Sequence, residues 1–471
     1  MISGLDRRRA RRVMCVVMML GIPPGCQTYS PRPLNPASLR AEFLARSASS
    51  EAVAQFAQRL RATKQSPPTF DPTDGLSVEE GEVVAMLYNA DLRRARARAG
   101  VTAASAAYAG LWEDPVLGTD LVRILESTAH PWKVFANIGL TIPLSGRLEK
   151  EKRRAGAEHD AELRRVFQAE WETRVAVRRE WAQWTAAVRQ RDVIRELIAQ
   201  LDGVVSIVER IEHAGELARI EASLFRIERS QRSVQLTRAD ERVAEVELRL
   251  RRLIGLAPSA DVAFVPAPLG ASDVPDDASA DEAAQARNPR LALARALYEV
   301  AERRLELEIR KQYPDLHIGP GYGREGGSDQ IMLGLSVPVP MLSANRQGIA
   351  TAGAERESAE IEYAAAAESI AADLSAAWVR LHAARARRRI IEDSLNPLVE
   401  QQYTDARRIA DLGEVNTLLL LETLTRQQDA KLDLISAGLD VELAAIEIAG
   451  LVGPEMLPDA GSSTGAQESQ P

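Results

Sequence analysis

Cysteine is almost missing from this 471-residue chain. There are two, Cys15 and Cys26, both within the first 26 residues, so no disulfide can staple the remainder. Aromatic side chains make up only 4%, and the five histidines are scattered with no Cys/His spacing that a metal site would need. No Walker loop, nucleophile elbow or His-Glu-x-x-His is present. A bilayer-spanning helix needs about 20 apolar residues. The stretch Val13 to Ile22 is only ten long. Net charge is −8, from 59 basic and 67 acidic residues of interleaved sign, which leaves no basic surface for nucleic acid. These absences argue against an enzyme, a bound cofactor, a metal centre and a nucleic-acid partner.

What is present begins with an export signal. Arg7, Arg8, Arg9, Arg11 and Arg12 precede the short apolar run, which suits a signal peptide over 1–25. Gly25-Cys26 then resembles a bacterial lipoprotein processing site, although Pro23 and Pro24 stand where an aliphatic and a small residue are usual. Cleavage there would leave Cys26 as the sole cysteine and the first residue, the position a thioether lipid requires. By analogy with lipoproteins, Gln27 favours outer-membrane sorting. Residues 26–77 read as a lipidated arm with one helical stretch, Leu39 to Thr63.

The chain then says the same thing twice. "NIGLTIPLSG" (Asn137 to Gly146) recurs as "MLGLSVPVPM" (Met332 to Met341), and "HAGELARIEASL" recurs in form as "DLGEVNTLLLLE". Gly215 to Gly255 and Gly413 to Gly453 are both 40 residues apart, and the period is 198. That is a duplicated domain-sized unit rather than a solenoid repeat. The first copy covers 78–256, a proline-rich linker 257–288, the second copy 289–453, and a polar tail 454–471.

Within each copy, two short strands precede long helices. Strands are expected at about 113–122 and 133–143, then at about 314–323 and 330–339. Val134, Ala136, Ile138, Leu140 and Ile142 alternate with Lys133, Phe135, Asn137, Gly139 and Thr141, and Leu316, Ile318, Pro320 and Tyr322 alternate with polar or small residues. Ten-residue alternation with aromatic ends suits a membrane barrel strand, and equally a half-buried hairpin of an α+β protein. The helices carry side-by-side packing seams: Ala367, Ile370, Leu374, Ala377, Leu381; Leu217, Ile220, Leu224, Ile227; Val243, Val246, Leu250, Leu253. Arg147 to His213 has no break, whereas Asn396-Pro397 should kink or interrupt its counterpart. Gly321, Gly323 and Gly326 fit a dinucleotide pattern, but a strand follows where a helix is required, so a hairpin turn is the better reading.

Several motifs together resemble the outer membrane factor (TolC-like) efflux family, over roughly 78–453. They are Asn288-Pro289-x-Leu291 with its echo Asn89 to Leu92, Tyr313-Pro-Asp-Leu316, Leu335-Ser-Val-Pro-Val-Pro340 and the two Gly-Glu tips. Asn345 to Glu360 is most similar to the heavy-metal (cobalt-zinc-cadmium) branch. The resemblance implies a mainly α fold with a small β part. Its duplicated coiled-coil-like helices would form a periplasmic tunnel, and four strands per protomer would contribute to a trimeric transmembrane β-barrel. It implies a passive outer-membrane exit duct of a tripartite efflux system, with heavy-metal cations as a candidate cargo. The expected partners are two further copies, a periplasmic adaptor, an inner-membrane pump of RND type and outer-membrane lipid. Open alternatives are the exit channel of a type I protein-secretion system and a non-channel coiled-coil scaffold.

The same resemblance directs attention to the tips. Gly215 and Glu216, with Gly413 and Glu414, become adaptor-contact candidates. The family often narrows its periplasmic aperture with acids six and nine residues after the second tip glycine. Here those positions are Leu419 and Glu422, while Glu221 is the acid six after Gly215. Val415 stands where some members carry a latching arginine.

Cys26→Ser should abolish lipidation while leaving assembly largely intact, because one acyl chain anchors far more weakly than an inserted barrel. Intact-mass measurement checks it, and unchanged mass and processing in Cys26→Ala would exclude the lipoprotein.

Overall fold

The computed structural model describes residues 28–62, 70–125, 130–270, 277–411 and 417–454. Cys26, the signal segment, Gly413, Glu414 and the tail beyond 454 lie outside the described residues. The chain divides into two units, residues 1–45 and 46–471. In the first, α1 (Pro36–Leu44) starts with proline at its first turn and is capped by the Asn35 carboxamide, which accepts from the Ala37 amide at 3.1 Å.

The second unit holds everything else. Its helices are α2 (Glu51–Ala62), α3 (Val78–Tyr88), α4 (Ala90–Tyr108), α5 (Arg147–His213), α6 (Arg219–Ile254), α7 (Asp277–Arg287), α8 (Pro289–Arg310), α9 (Arg346–Ile390), α10 (Asn396–Asp411) and α11 (Thr417–Val452). Its strands are β1 (Val116–Arg123), β2 (Trp132–Ile142), β3 (Leu316–Glu325) and β4 (Ser328–Ser336).

The helices form four struts side by side. α5 is one uninterrupted helix of 67 residues, roughly 100 Å at 1.5 Å per residue. On one flank it packs against α4 and α6, on the other against α8 and α11, and these in turn pack against α9. The seams expected from sequence close two of these contacts. Ile370, Leu374, Ala377 and Leu381 are buried against Val441, Ala444 and Ile448 of α11, and Val246 and Leu250 of α6 sit in the core with Val177 and Trp181 of α5. The third seam behaves differently. Ile220 is 74% exposed and Ile227 52%, because α6 packs on its own chain through Ala222 and Phe225 instead.

An asparagine makes each pair of short helices into a strut. Asn89 begins α4, its Oδ1 accepting from the Asp91 amide at 2.8 Å, while its Nδ2 donates to the Leu253 carbonyl at the end of α6 at 2.8 Å. Asn288 does the same between α8 and α11, accepting from the Arg290 amide at 2.8 Å and donating to the Leu451 carbonyl at 2.6 Å. One carboxamide thus satisfies orphan groups on two helix ends, and a positive end faces a negative one. The departing chain turns at Gly255 (φ 80°) and Gly453 (φ 92°). A Cβ at either would fall within 2.6 Å of the Tyr88 or Arg287 carbonyl oxygen. Only glycine fits there.

The fourth strut widens, without ending, just before its proline. After α9 comes one wide π-type turn, Ile391–Leu395, and α10 resumes at Asn396. Pro397 can donate no amide hydrogen to the preceding turn, and the extra residue absorbs that loss.

Three expectations need correction. The helix expected over 39–63 is split by the turn at Ser47 to Ser50. Its second half is no arm, since Val53 and Ala57 are buried in the core. The linker 257–288 also contributes core. Phe264 lies edge-on to Trp181 (5.2 Å) and Trp184 (5.7 Å), and Val265 accepts the Trp181 indole hydrogen bond at 2.9 Å. Proline-rich composition had hidden these anchors, because a connector that crosses an apolar surface still buries its own side chains there.

Asn288→Ala should destabilise the α8–α11 joint by about 1–3 kcal/mol, since it leaves a buried carbonyl and two amides unpaired. Hydrogen exchange should rise at residues 289–292 and 449–453 while α5 stays protected. Uniform exchange across both would refute a local joint.

Candidate functional site

The four strands form one antiparallel sheet in the order β1-β2-β3-β4. Its register sorts the side chains. Leu117 stands opposite Ile138, Leu121 opposite Val134, Leu140 opposite Ile318, and Tyr322 opposite Ala136 and Ile331. Pro320 faces Leu333 and Ile318 faces Leu335, which completes one apolar face. The other face carries Gly118, Asn137, Gly139, Thr141, His317, Gly319, Gly321, Gly323, Gln330, Gly334 and Ser336, together with four larger apolar groups, Val116, Val122, Phe135 and Met332.

The apolar face is also the more exposed. Along β2 exposure alternates, with Val134 and Ile138 open while Phe135 and Asn137 are half-buried. Ile331 on β4 is 89% exposed. The glycines leave room for the few larger groups of the polar face. A Cβ at Gly323 would fall 2.0 Å from the Phe135 ring, and one at Gly118 would fall 2.2 Å from Asn137 Oδ1. Trp132 lies near the hairpin end and Tyr313 just before β3 at the helix end, both half exposed. The dinucleotide-like glycines are thus accounted for: Gly321 and Gly323 line the small-residue face and Gly326 turns the hairpin at φ 58°.

Two details limit the strands. Pro320 interrupts the β2–β3 ladder, where no pairing occurs between Asn137 and Leu140, because proline offers no amide. Strand β4 ends at Ser336 rather than 339, before Pro338 and Pro340. The outer edges of β1 and β4 have no partner strand among the described residues.

Where the sheet meets the helices, charges tie the two together. Arg147, first residue of α5, donates to Asp315 at 2.7 Å and to Glu113 at 2.6 Å, and Ser145 also donates to Asp315. Lys150 bonds Glu306, which Arg303 also reaches at 3.1 Å. The hydrogen bond from Lys150 holds the Glu306 carboxyl below its ordinary pKa. Burial pushes Glu308 upward, but hydrogen bonds from Lys311 and Asn345 outweigh it and its pKa is lowered as well. Of this cluster, the sequence motifs include Asp315 and Asn345 but none of the charged partners that pair with them.

At the opposite end lies the first tip. Gly215 turns the chain at φ 79°, with its amide on the Glu212 carbonyl and the Glu216 amide on Ile211, a glycine-capped helix end. Glu221 sits in the first turn of α6, where the helix dipole favours an acid, and is half-buried. Leu419 is half-buried in the first turn of α11. Leu421 packs against both the Val208–Phe225 cluster and the Leu201–Leu424 cluster, so the start of α11 and the α5–α6 tip are brought together.

Glu422 points outward and donates nothing; it accepts from Arg426 at 2.6 Å, with both side chains just over half exposed. The sequence reading missed Arg426, although its spacing of four on one helix could have revealed it. Every exposed α11 residue from 418 to 440 falls on one stripe: Leu418, Glu422, Arg426, Asp429, Asp433, Ser436 and Asp440. Among the described residues, no group of three or more His, Cys, Asp or Glu is placed to hold a metal ion, and no helix is long and apolar enough to cross a membrane.

Comparison with known proteins adds context. The cobalt-zinc-cadmium resistance protein CzcC of Cupriavidus metallidurans is 24% identical over 269 residues, 52% of this chain. The match spans 63% of that relative's length. No protein-family model matches the chain. Among solved structures, the transmembrane-channel protein CusC superposes with a TM-score of 0.66 at 13% identity, covering 80% of this chain and 92% of that one. The outer membrane protein VceC of Vibrio cholerae gives 0.66 at 14%, covering 80% and 96%. The outer membrane channel CmeC of Campylobacter jejuni gives 0.67 at 13%, covering 83% and 89%.

A carboxylate with a depressed folded pKa adds stability above its unfolded value, and that stability is lost as pH falls through the folded value. The junction should therefore loosen below the ordinary glutamate value of 4.5, as Glu306 and Glu308 protonate. Glu306→Gln should flatten the acid limb of a melting-temperature profile. A variant that melts in parallel with the parent at every pH would count against these pairs.

Proposed function

We propose, from the fold this chain shares with solved outer-membrane channels, that it is the passive exit duct of a tripartite efflux system in the outer membrane. The observation that carries the reading is a four-stranded sheet, apolar on one face and glycine-rich on the other, with both edges unpaired. In lipid, an open edge leaves backbone groups that nothing satisfies, so the sheet must be closed by other copies. The number three follows the resemblance to TolC-like channels, which build a twelve-stranded barrel from three protomers.

The helices support the same closure. A ring built head to tail joins unlike surfaces, so one flank of a protomer meets the other flank of the next. One flank belongs to the first copy and ends in β1 and α6, the latter with its exposed Ile220, Leu224, Ile227 and Val234. The opposite flank belongs to the second copy and ends in β4 and the α9–α10 strut. That strut exposes Val379, Ile390, Leu398 and Ile409. The α6 seam then packs against α9–α10 of the neighbour, which gives the unpartnered seam a use.

The α11 stripe is charged rather than apolar, which suits a water-filled interior better than a contact. On this reading Glu422 lines the aperture, with Leu419 and Glu221 nearby, and the Gly215-Glu216 and Gly413-Glu414 tips meet a periplasmic adaptor. Arg426 changes what the aperture does. Three Glu422–Arg426 pairs form a ring of near-zero net charge rather than the purely acidic one expected from sequence. An inner-membrane pump of RND type supplies the energy and most of the selection. Heavy-metal cations are the proposed cargo, by analogy with the cobalt-zinc-cadmium resistance protein. Cys26 would add a lipid anchor.

Membrane fractionation with heat-sensitive oligomer migration tests the duct. The parent should run as a membrane-extracted trimer, and Ile227→Glu should lower trimer yield at least tenfold by burying a charge at the seam. A monomer in the soluble periplasmic fraction would end the proposal. In planar-bilayer recordings, Arg426→Gln should raise cation selectivity and Glu422→Gln should lower it, with trimer yield unchanged. Identical reversal potentials in both variants would remove this pair from the aperture.

A further inference from the structure

The apolar sheet face is almost free of charge, and its exceptions are all at one end. Arg123 and Arg324 lie on it, in register with Trp132 and Val134 respectively. Asp329 stands opposite Arg324, loosely paired at 3.4 Å, with both more than half exposed. Arg123 has no carboxylate partner among the described residues; its guanidinium lies 5.4 Å from the centre of the Trp132 ring. The two arginines are two strands and two residues apart, roughly 12 Å. At the helix end, the same face carries Leu117, Leu140, Ile142, Leu316 and Leu335 and no ionisable group. On the polar face at the hairpin end, by contrast, Lys133 is neutralised by Glu325.

A guanidinium facing lipid is tolerated only where it reaches the headgroups. Trp132 marks that level, since indole rings collect at the membrane–water boundary. The hairpins point away from the helices, so on the duct reading above they meet the outer leaflet, whose glycolipid carries phosphate groups on its sugars. Arginine suits such a partner because its planar fork donates two hydrogen bonds to a phosphate. We propose that Arg123 and Arg324, with Trp132 between them, form a rim site for the phosphate groups of outer-leaflet glycolipid, one in each protomer. This inference rests on the barrel reading of the sheet.

Oligomer extracted in mild detergent would be titrated with lipopolysaccharide, with the same lipid after removal of its phosphates, and with phosphatidylglycerol, and bound lipid read by native mass spectrometry. Two basic side chains near an anionic headgroup correspond to about a 30-fold preference for the phosphorylated glycolipid. Arg123→Gln/Arg324→Gln should fall to the level of the dephosphorylated lipid with oligomer yield unchanged. Equal binding of the two glycolipids by the parent protein overturns the rim site, and this comparison needs no variant to fold. Unchanged affinity in a folded double variant overturns it too, as does equal binding of phosphatidylglycerol. Loss of the barrel reading would look different, since the parent chain would then fail to appear as a membrane-extracted oligomer at all.

Discussion

Two asparagine carboxamides hold the molecule's length together. An α-helix end leaves amides or carbonyls without partners, and a strut made of two helices end to end would bring two such ends into one buried place. Asn89 and Asn288 bond to both ends at once. Without them, α4 and α6, or α8 and α11, would be separate helices free to shear, and neither could match the unbroken α5 residue for residue. The long α5 and its jointed neighbours therefore belong to one design. The joint also sets the position of the sheet, because α4 and α8 lead directly into β1 and β3.

From those struts follows the division of surfaces. Helices in a row have two flanks and two faces, and each is chemically distinct here. The flanks carry exposed apolar seams on α6 and on α9–α10, the exposed stripe of α11 is charged, and the interior seams are closed by alanine, leucine and valine. The sheet repeats this partition at its own scale, with mostly aliphatic side chains on one face and a glycine-rich set on the other. A chain with 4% aromatics can build such a surface because close helix packing needs small residues, not large ones.

Glu422 illustrates how a local contact can change a functional reading. A lone acid near a narrow passage repels its copies and attracts cations. An acid bonded to an arginine one turn below does neither so strongly. The same logic applies in reverse at the hairpin rim, where Arg123 lacks the carboxylate that neutralises Lys133 on the opposite face.

The sequence by itself determined the periodic features. Strand alternation around Ile138 and Ile318, the helix irregularity ahead of Pro397, the uninterrupted Arg147–His213 helix and the glycine tip at Gly215 are all local, because each depends on side-chain period or backbone freedom within a few residues. Tertiary structure alone decided what met what. A heptad seam reads alike whether it faces its own chain or open water, so Ile220 and Ile227 gave no sign of being outside while Ile370 and Leu374 are inside. Phe264 hid in a proline-rich connector because its partners, Trp181 and Trp184, are some 80 residues away. Arg147 could not be matched to Asp315 across 168 residues, nor Asn288 to Leu451 across 163. Hydrogen bonds and ion pairs are decided by distance in space, and that distance is set only when the struts are laid side by side.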